Sequence, residues 1–317
     1  MRIAKNAWKA GASGLLMLCA AVAARATESP SCTEGLQLSL SAPQLNQGNL
    51  IVARARSSRS VEKISGTWME REIYFWKAEA PEARRSGDLE EALVGTDLEK
   101  APGNYKLNVT ATFDDGSHAD CTAELSVRQG KFATESLTVA NQFVEPDKQQ
   151  AERAATEQQK LRQLFDRVTP EKLWRGNFQF PLAGITHGTN FGKRRILNGQ
   201  ARPPHTGADF PAVTGTPVHA TQSGRVALAE ELFFSGNTVI IDHGLGVYSL
   251  YGHLSAINVA SGQTVKAGAV IGKVGATGRV TGPHLHWGVT VNKARVNPVQ
   301  LVSLSRQPRQ QTTKPKR

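Results

Sequence analysis

Along residues 32–140, apolar and polar positions alternate with a period of two. Leu36, Leu38 and Leu40 form one run, and Tyr105, Leu107, Val109, Ala111 and Phe113 form another. Successive side chains of an extended chain point to opposite faces, so each run describes a strand with one apolar face. The second run stops at the turn sequence Asp114-Asp115-Gly116-Ser117 and resumes as Ala119, Cys121, Ala123, Leu125 and Val127, which predicts a β-hairpin. Cys32 and Cys121 share the parity of their apolar neighbours, so both are expected to face one core and to close a disulfide between the first strand and a late one.

The period then changes. Between Asp147 and Val168 the composition shifts to Gln, Glu, Arg, Lys and Ala, with Ala151, Ala154, Ala155, Leu161, Leu164, Phe165 and Val168 near helical spacing. This predicts an amphipathic linker helix within 146–172, closed by Thr169-Pro170 because proline lacks an amide donor. Over residues 178–301 the chain returns to strands, including Thr238-Val239-Ile240-Ile241 and Val247-Tyr248-Ser249-Leu250-Tyr251, with glycine turns between them and no helix of convincing length. The predicted fold class is mainly β: an N-terminal β-sandwich, a linker helix and a C-terminal antiparallel β-sheet domain.

The two ends carry different signals. Arg2, Lys5 and Lys9, an apolar run from Gly14 to Ala24 and Ala24-Arg25-Ala26 follow the plan of a secretory signal over residues 1–26. That run is shorter than the ~20 residues a bilayer span needs, and no transmembrane segment is expected. Leu18 before Cys19 argues against lipidation. Without the signal's four basic residues the formal charge falls from +11 to about +7, and five of the remaining positive charges lie in the 305–317 tail, which is expected to be disordered. The body is nearly balanced, so no nucleic-acid face is indicated. Export also places the cysteine pair in an oxidising compartment.

The chemistry is concentrated in three short segments: His205-Thr206-Gly207-Ala208-Asp209, Tyr251-Gly252-His253 and His284-Leu285-His286-Trp287-Gly288. On a strand His284 and His286 enter one groove while Leu285 faces the packed side. Two imidazoles aimed at one spot suit zinc. Gly207 and Phe210-Pro211 argue against a helix joining His205 to Asp209, so this pair is read as a loop leading into a strand. The other histidines, His118, His187, His219 and His243, are read as ordinary hydrogen-bonded residues, and Trp287 as packing.

Together the segments resemble the lysostaphin-type, or M23, metallopeptidases over about Gly192 to Pro298. The sequence carries that family's His-x-x-x-Asp pair, a central His after Tyr-Gly and a His-x-His pair in order, and Gly224-Arg225-Val226, Asp242-His243-Gly244 and Gly275-x-Thr277-Gly278 also fit. The resemblance implies Zn2+ held by His205, Asp209 and His286, with an open fourth position, and His253 and His284 as catalytic residues. Of these, His284 is assigned as general base and His253 to transition-state stabilisation or proton donation. It also implies an exported, periplasmic or envelope-associated endopeptidase acting on peptidoglycan peptides. Pro102-Gly103-Asn104-Tyr105 resembles a strand entry of bacterial immunoglobulin-like sandwiches, which sets the expectation for the first domain. A non-catalytic wall-binding or amidase-activating relative would have lost ligands that are present here. A lipoyl or biotinyl carrier would need its modified lysine at a hairpin tip, where neither Lys266 nor Lys273 is read to lie.

Overall fold

The computed structural model describes residues 29–79 and 89–306. The expected signal and residues 307–317 of the expected tail lie outside these residues, whereas Ser305 and Arg306, placed in that tail by the sequence, belong to the last helix. Ten strands come first: β1 (Ser31–Cys32), β2 (Leu36–Leu40), β3 (Gln44–Asn46), β4 (Leu50–Ser57), β5 (Val61–Trp68), β6 (Arg71–Tyr74), β7 (Trp76–Lys77), β8 (Leu89–Gly95), β9 (Gly103–Phe113) and β10 (His118–Arg128). They form a sheet of order β1-β10-β9-β5-β6, with β3 added beside β10, and a second of order β2-β4-β8-β7. Leu36, Leu38, Ile51 and Ala53 from one sheet meet Ile64, Leu107, Val109 and Leu125 from the other in a shared core. The alternation expected of β9 and β10 is the alternation observed, and the two pair in register from His118↔Thr112 to Val127↔Gly103.

Cys32 and Cys121 are cross-strand partners and form a disulfide. Their orientation departs from the parity argument: Cys121 is buried, but Cys32 is exposed. β1 is a separate two-residue strand at the sheet edge, so its pleat does not continue that of β2, and the Leu36 to Leu40 parity does not extend back to it.

β8 is buried along almost its whole length because the second sheet is covered on both faces. Leu50 and Leu93 belong to the core of the C-terminal half, whereas Ile51, Ala53, Ala92 and Val94 point into the sandwich. Arg295 pairs with Asp97 and Glu99, and the Leu50 amide donates to Gln300 Oε1 at 2.9 Å. The two halves are therefore packed directly on each other as well as through the linker.

Next come β11 (Thr134–Leu137) and α1 (Lys148–Asp166). Asp147 caps α1 by accepting from the Gln150 amide, and the Gln150 side chain returns the bond to Asp147 N, a reciprocal capping box. The apolar stripe of α1, Leu161, Leu164 and Phe165, packs on Leu228, Leu232, Ile240 and Tyr248. The remaining strands are β12 (Arg194–Leu197), β13 (Gln200–Arg202), β14 (Gly207–Pro211), β15 (Pro217–His219), β16 (Gly224–Leu232), β17 (Gly236–Asp242), β18 (Val247–Ile257), β19 (Thr264–Val265), β20 (Val270–Val274), β21 (His284–Val291) and β22 (Ala294–Val296). Nine of them form one sheet with the central order β14-β21-β18-β17-β16-β19. A small three-stranded sheet joins β12 and β13 to β11, with β11 parallel to β12.

The chain ends in α2 (Pro298–Arg306), a helix that strand periodicity did not anticipate. Proline opens it, where the missing amide costs nothing. Leu301 and Val302 close it over the main core.

Candidate metal centre

Strand pairing assembles the site. β14 runs antiparallel to β21 with Asp209 opposite His286 and Pro211 opposite His284. β18 lies on the other side of β21, with Tyr251 opposite Trp287 and Gly252 opposite His286. Leu285, Trp287 and Tyr251 are buried in the core, so His284 and His286 project from the opposite face. The period of two would send His253 to the Tyr251 face. Instead it adopts φ 63°, a left-handed conformation rare for a residue with a side chain, and a register shift follows it in β18. Its ring lies 4.9 Å from that of His284 and 5.8 Å from that of His286, centroid to centroid.

Three potential ligand atoms converge. His205 Nε2 is 2.8 Å from His286 Nδ1 and 3.1 Å from Asp209 Oδ1, and His286 Nδ1 is 3.1 Å from the same oxygen. Gly207 makes room for this cluster: a Cβ there would lie 2.6 Å from His286 Cε1. His284 Nε2 stands 3.6 Å from Asp209 Oδ1.

Backbone carbonyls set the ring orientations. His205 Nδ1 lies 3.0 Å from Asn190 O, His253 Nδ1 2.8 Å from Thr277 O and His284 Nδ1 2.8 Å from Gly282 O. A carbonyl only accepts, so each Nδ1 carries a proton, and in the neutral ring the Nε2 presents a lone pair.

Burial pushes the His205 imidazole down to about 4, and burial with the nearby His286 and His284 rings pushes His253 down to about 3. Both are neutral at pH 7. Burial alone would raise the Asp209 carboxyl, but the adjoining His205 and His286 rings outweigh it and hold Asp209 far below the usual carboxylate range. The His205 lone pair thus faces a carboxylate oxygen with no proton between them. That repulsive arrangement is relieved by a cation held between the two, and an N, N, O donor set with a tight approach fits zinc.

The groove beside this cluster has a volume of about 290 Å³, and it is not made from residues 178–301 alone. Glu135 and Leu137 of β11 line it with Asp209, His253, Arg279 and His284. Glu135 accepts from Arg195 Nε and Lys193 Nζ, each at 3.2 Å, and Arg195 Nη2 lies 3.5 Å from Asp209 Oδ2. All five residues expected at the site are brought together. Asn190, Arg195, Glu135 and Arg279 were not anticipated. The only sequence signal for Asn190 is its place in a turn-like Asn190-Phe191-Gly192, where it takes φ 70°.

His243 is no part of the site, as expected. It is fully buried behind β18 and bonded to Ser223 O at 2.8 Å and Ser249 Oγ at 2.7 Å.

The family model Peptidase family M23 matches residues 203–298. Over 97 residues the chain is 48% identical to the DD-carboxypeptidase/endopeptidase Mpg of Neisseria meningitidis, a match covering 31% of this chain and 22% of that protein. Over 216 residues it is 32% identical to the peptidoglycan DD-endopeptidase ShyA of Vibrio cholerae, covering 67% of this chain and 42% of ShyA. The chain thus matches less than half the length of these curated relatives. A crystal structure of a Pseudomonas aeruginosa protein assigned to peptidase M23 superposes with a TM-score of 0.58 at 29% identity, covering 84% of this chain and 97% of that one.

Proposed function

Because residues 203–298 carry a peptidase family M23 domain, we propose that this protein is a zinc-dependent endopeptidase that hydrolyses peptide cross-links of peptidoglycan in the bacterial envelope. The observation that carries the reading is the convergence of His205 Nε2, Asp209 Oδ1 and His286 Nδ1, with two further imidazoles on the same groove. In this reading His205, Asp209 and His286 hold the metal, residues 178–301 form the catalytic unit, and residues 32–140 and α1 support it. Zinc, when bound, supplies the Lewis acidity that lowers the pKa of water and polarises the scissile carbonyl.

The chain's own residues do the rest. His284, anchored through Nδ1 to Gly282 O, accepts the proton of the attacking water at Nε2 and delivers it to the leaving amine. His253 is anchored through Thr277 O with Nε2 facing the groove as an acceptor, so it serves transition-state stabilisation or proton donation only after Nε2 has taken up a proton from the reacting groups. Asp209 remains an anion throughout and neutralises charge that builds up between the imidazoles. Mpg and ShyA are both named for DD-peptidase activity, which supports a D,D cross-link as the bond cut here.

The test is digestion of purified wall of known cross-link type by the full-length, zinc-loaded protein, with mass spectrometry of the new termini. New amino and carboxyl ends at the cross-link are expected. Correctly folded, zinc-loaded protein that releases no peptide end from any wall type would overturn the assignment.

A further inference from the structure

The loop from Gly275 to Pro283, between β20 and β21, is pinned at several points. Thr277 Oγ1 accepts from Asn237 N and donates to Leu254 O, both at 2.9 Å. A Cβ on Gly278 would lie 2.4 Å from Gly236 N, so the loop is pressed against the chain at 234–236. The next residue, Arg279, donates its amide to Phe234 O at 2.8 Å. Its guanidinium carbon sits 4.5 Å from the centroid of the Phe234 ring. One face of the cation is therefore covered, and its position is set by a fixed backbone.

Arg279 lines the same groove as Asp209, His253 and His284. Among the described residues its guanidinium has no carboxylate and no hydrogen-bond acceptor. The acids near the groove are already engaged, Glu135 by Lys193 and Arg195, and Asp209 by Arg195 and the histidines. Burial and then the charges of Arg195 and Arg202 push Arg279 down to about 10, and it stays cationic at neutral pH. A partly buried guanidinium next to two others, stacked on one side and unpaired in its plane, matches a planar anion that arrives with the substrate.

We propose that Arg279 is a specificity-determining residue that receives a free carboxylate of the wall peptide near the scissile bond, so that cross-links bearing this acid are selected over amidated or all-glycine ones. The proposal rests on the peptidase reading above for the identity of the ligand. The stem peptides of the wall carry such acids on their isoglutamyl and diamino-diacid residues, and amidation removes the charge while keeping the size.

The test uses pairs of cross-linked wall peptides identical except for a free or amidated carboxyl, offered to full-length wild type, Arg279→Gln and Arg279→Lys. Wild type is expected to favour the free acid by roughly 10- to 100-fold in kcat/KM, the size of one charge-assisted hydrogen bond, expressed mainly in KM. Arg279→Gln should bring the ratio close to one, and Arg279→Lys, which keeps the charge and loses the fork, should fall between. The same pairs are titrated calorimetrically against His284→Ala protein with and without Arg279→Gln, so that recognition is read without turnover. Discrimination in binding that follows Arg279, with neither peptide cut by wild type, keeps the carboxylate site and removes the peptidase reading. Both peptides cut with a ratio that does not change in either variant removes the carboxylate site and keeps the peptidase. If the Gln variant does not fold, as judged by melting and zinc content, the Lys variant decides: an unchanged ratio there overturns the proposal.

Discussion

Acidification should act on the fold through His243, behind the site. In the neutral ring Nδ1 donates to Ser223 O, and Nε2 accepts from Ser249 Oγ. Ser249 Oγ is 3.0 Å from Tyr251 Oη, which accepts from the Thr221 amide at 2.8 Å, so a fully satisfied chain runs Thr221 to Tyr251 to Ser249 to His243. A proton on Nε2 would turn that atom from acceptor into donor, in a site fully removed from water. Burial accordingly pushes His243 down to about 4, whereas the unfolded chain titrates near 6.5. Between those values the unfolded state binds more protons, so stability is full above pH 6.5, declines as pH falls to about 4, and is flat below. At ~1.4 kcal/mol per tenfold difference in proton affinity, the loss from this one group is about 3 kcal/mol. The assay is urea unfolding at fixed ionic strength with chelator, comparing pH 7 and pH 4 in wild type and His243→Gln. His205 and His253, also depressed, are common to both proteins and cancel. The wild type should lose about 3 kcal/mol more than the variant over this range. Losses equal to within about 0.5 kcal/mol would refute the argument.

Replacing His286 by Ala should abolish zinc binding and activity together, whereas His284→Ala should retain zinc and lose about 10²- to 10⁴-fold in kcat; metal analysis beside kinetics separates the two. Gly207→Ala should weaken zinc affinity without touching a ligand, because the new methyl group presses on the His286 ring; unchanged affinity in a chelator competition would contradict that geometry. Cys121→Ser should lower stability by roughly 2–4 kcal/mol, since the bridge closes a sequence separation of 89 residues, and urea unfolding with and without reductant checks this.

Much of the site was legible because its residues obey short-range rules. His284 and His286 share a face by the period of two, and Gly207 with Pro211 marks a strand entry. The contributors that escaped obey no such rule. Asn190 acts through its backbone carbonyl, which any residue provides. Glu135 and Arg195 meet only because β11 pairs with β12 across 60 residues. His253 reaches the groove only through a backbone conformation opposed to strand parity. In the fold, the amphipathic strands were readable from alternation, whereas the double burial of β8 depends on what the C-terminal half lays over it.

The parallel pairing of β11 with β12 bears on the order in which the molecule is made. A chain emerging from its N-terminus exposes Glu135 long before Arg195 exists to meet it, and Asp209 must wait a further 77 residues for His286. Contacts so distant in sequence form late, after local hairpins such as β9–β10 have closed. Glu135, Arg195, Asp209 and His286 therefore come together only when nearly the whole described chain is in place. Under the proposed function, an unfinished or prematurely terminated chain has no assembled centre and is harmless to the wall that a finished one would cut.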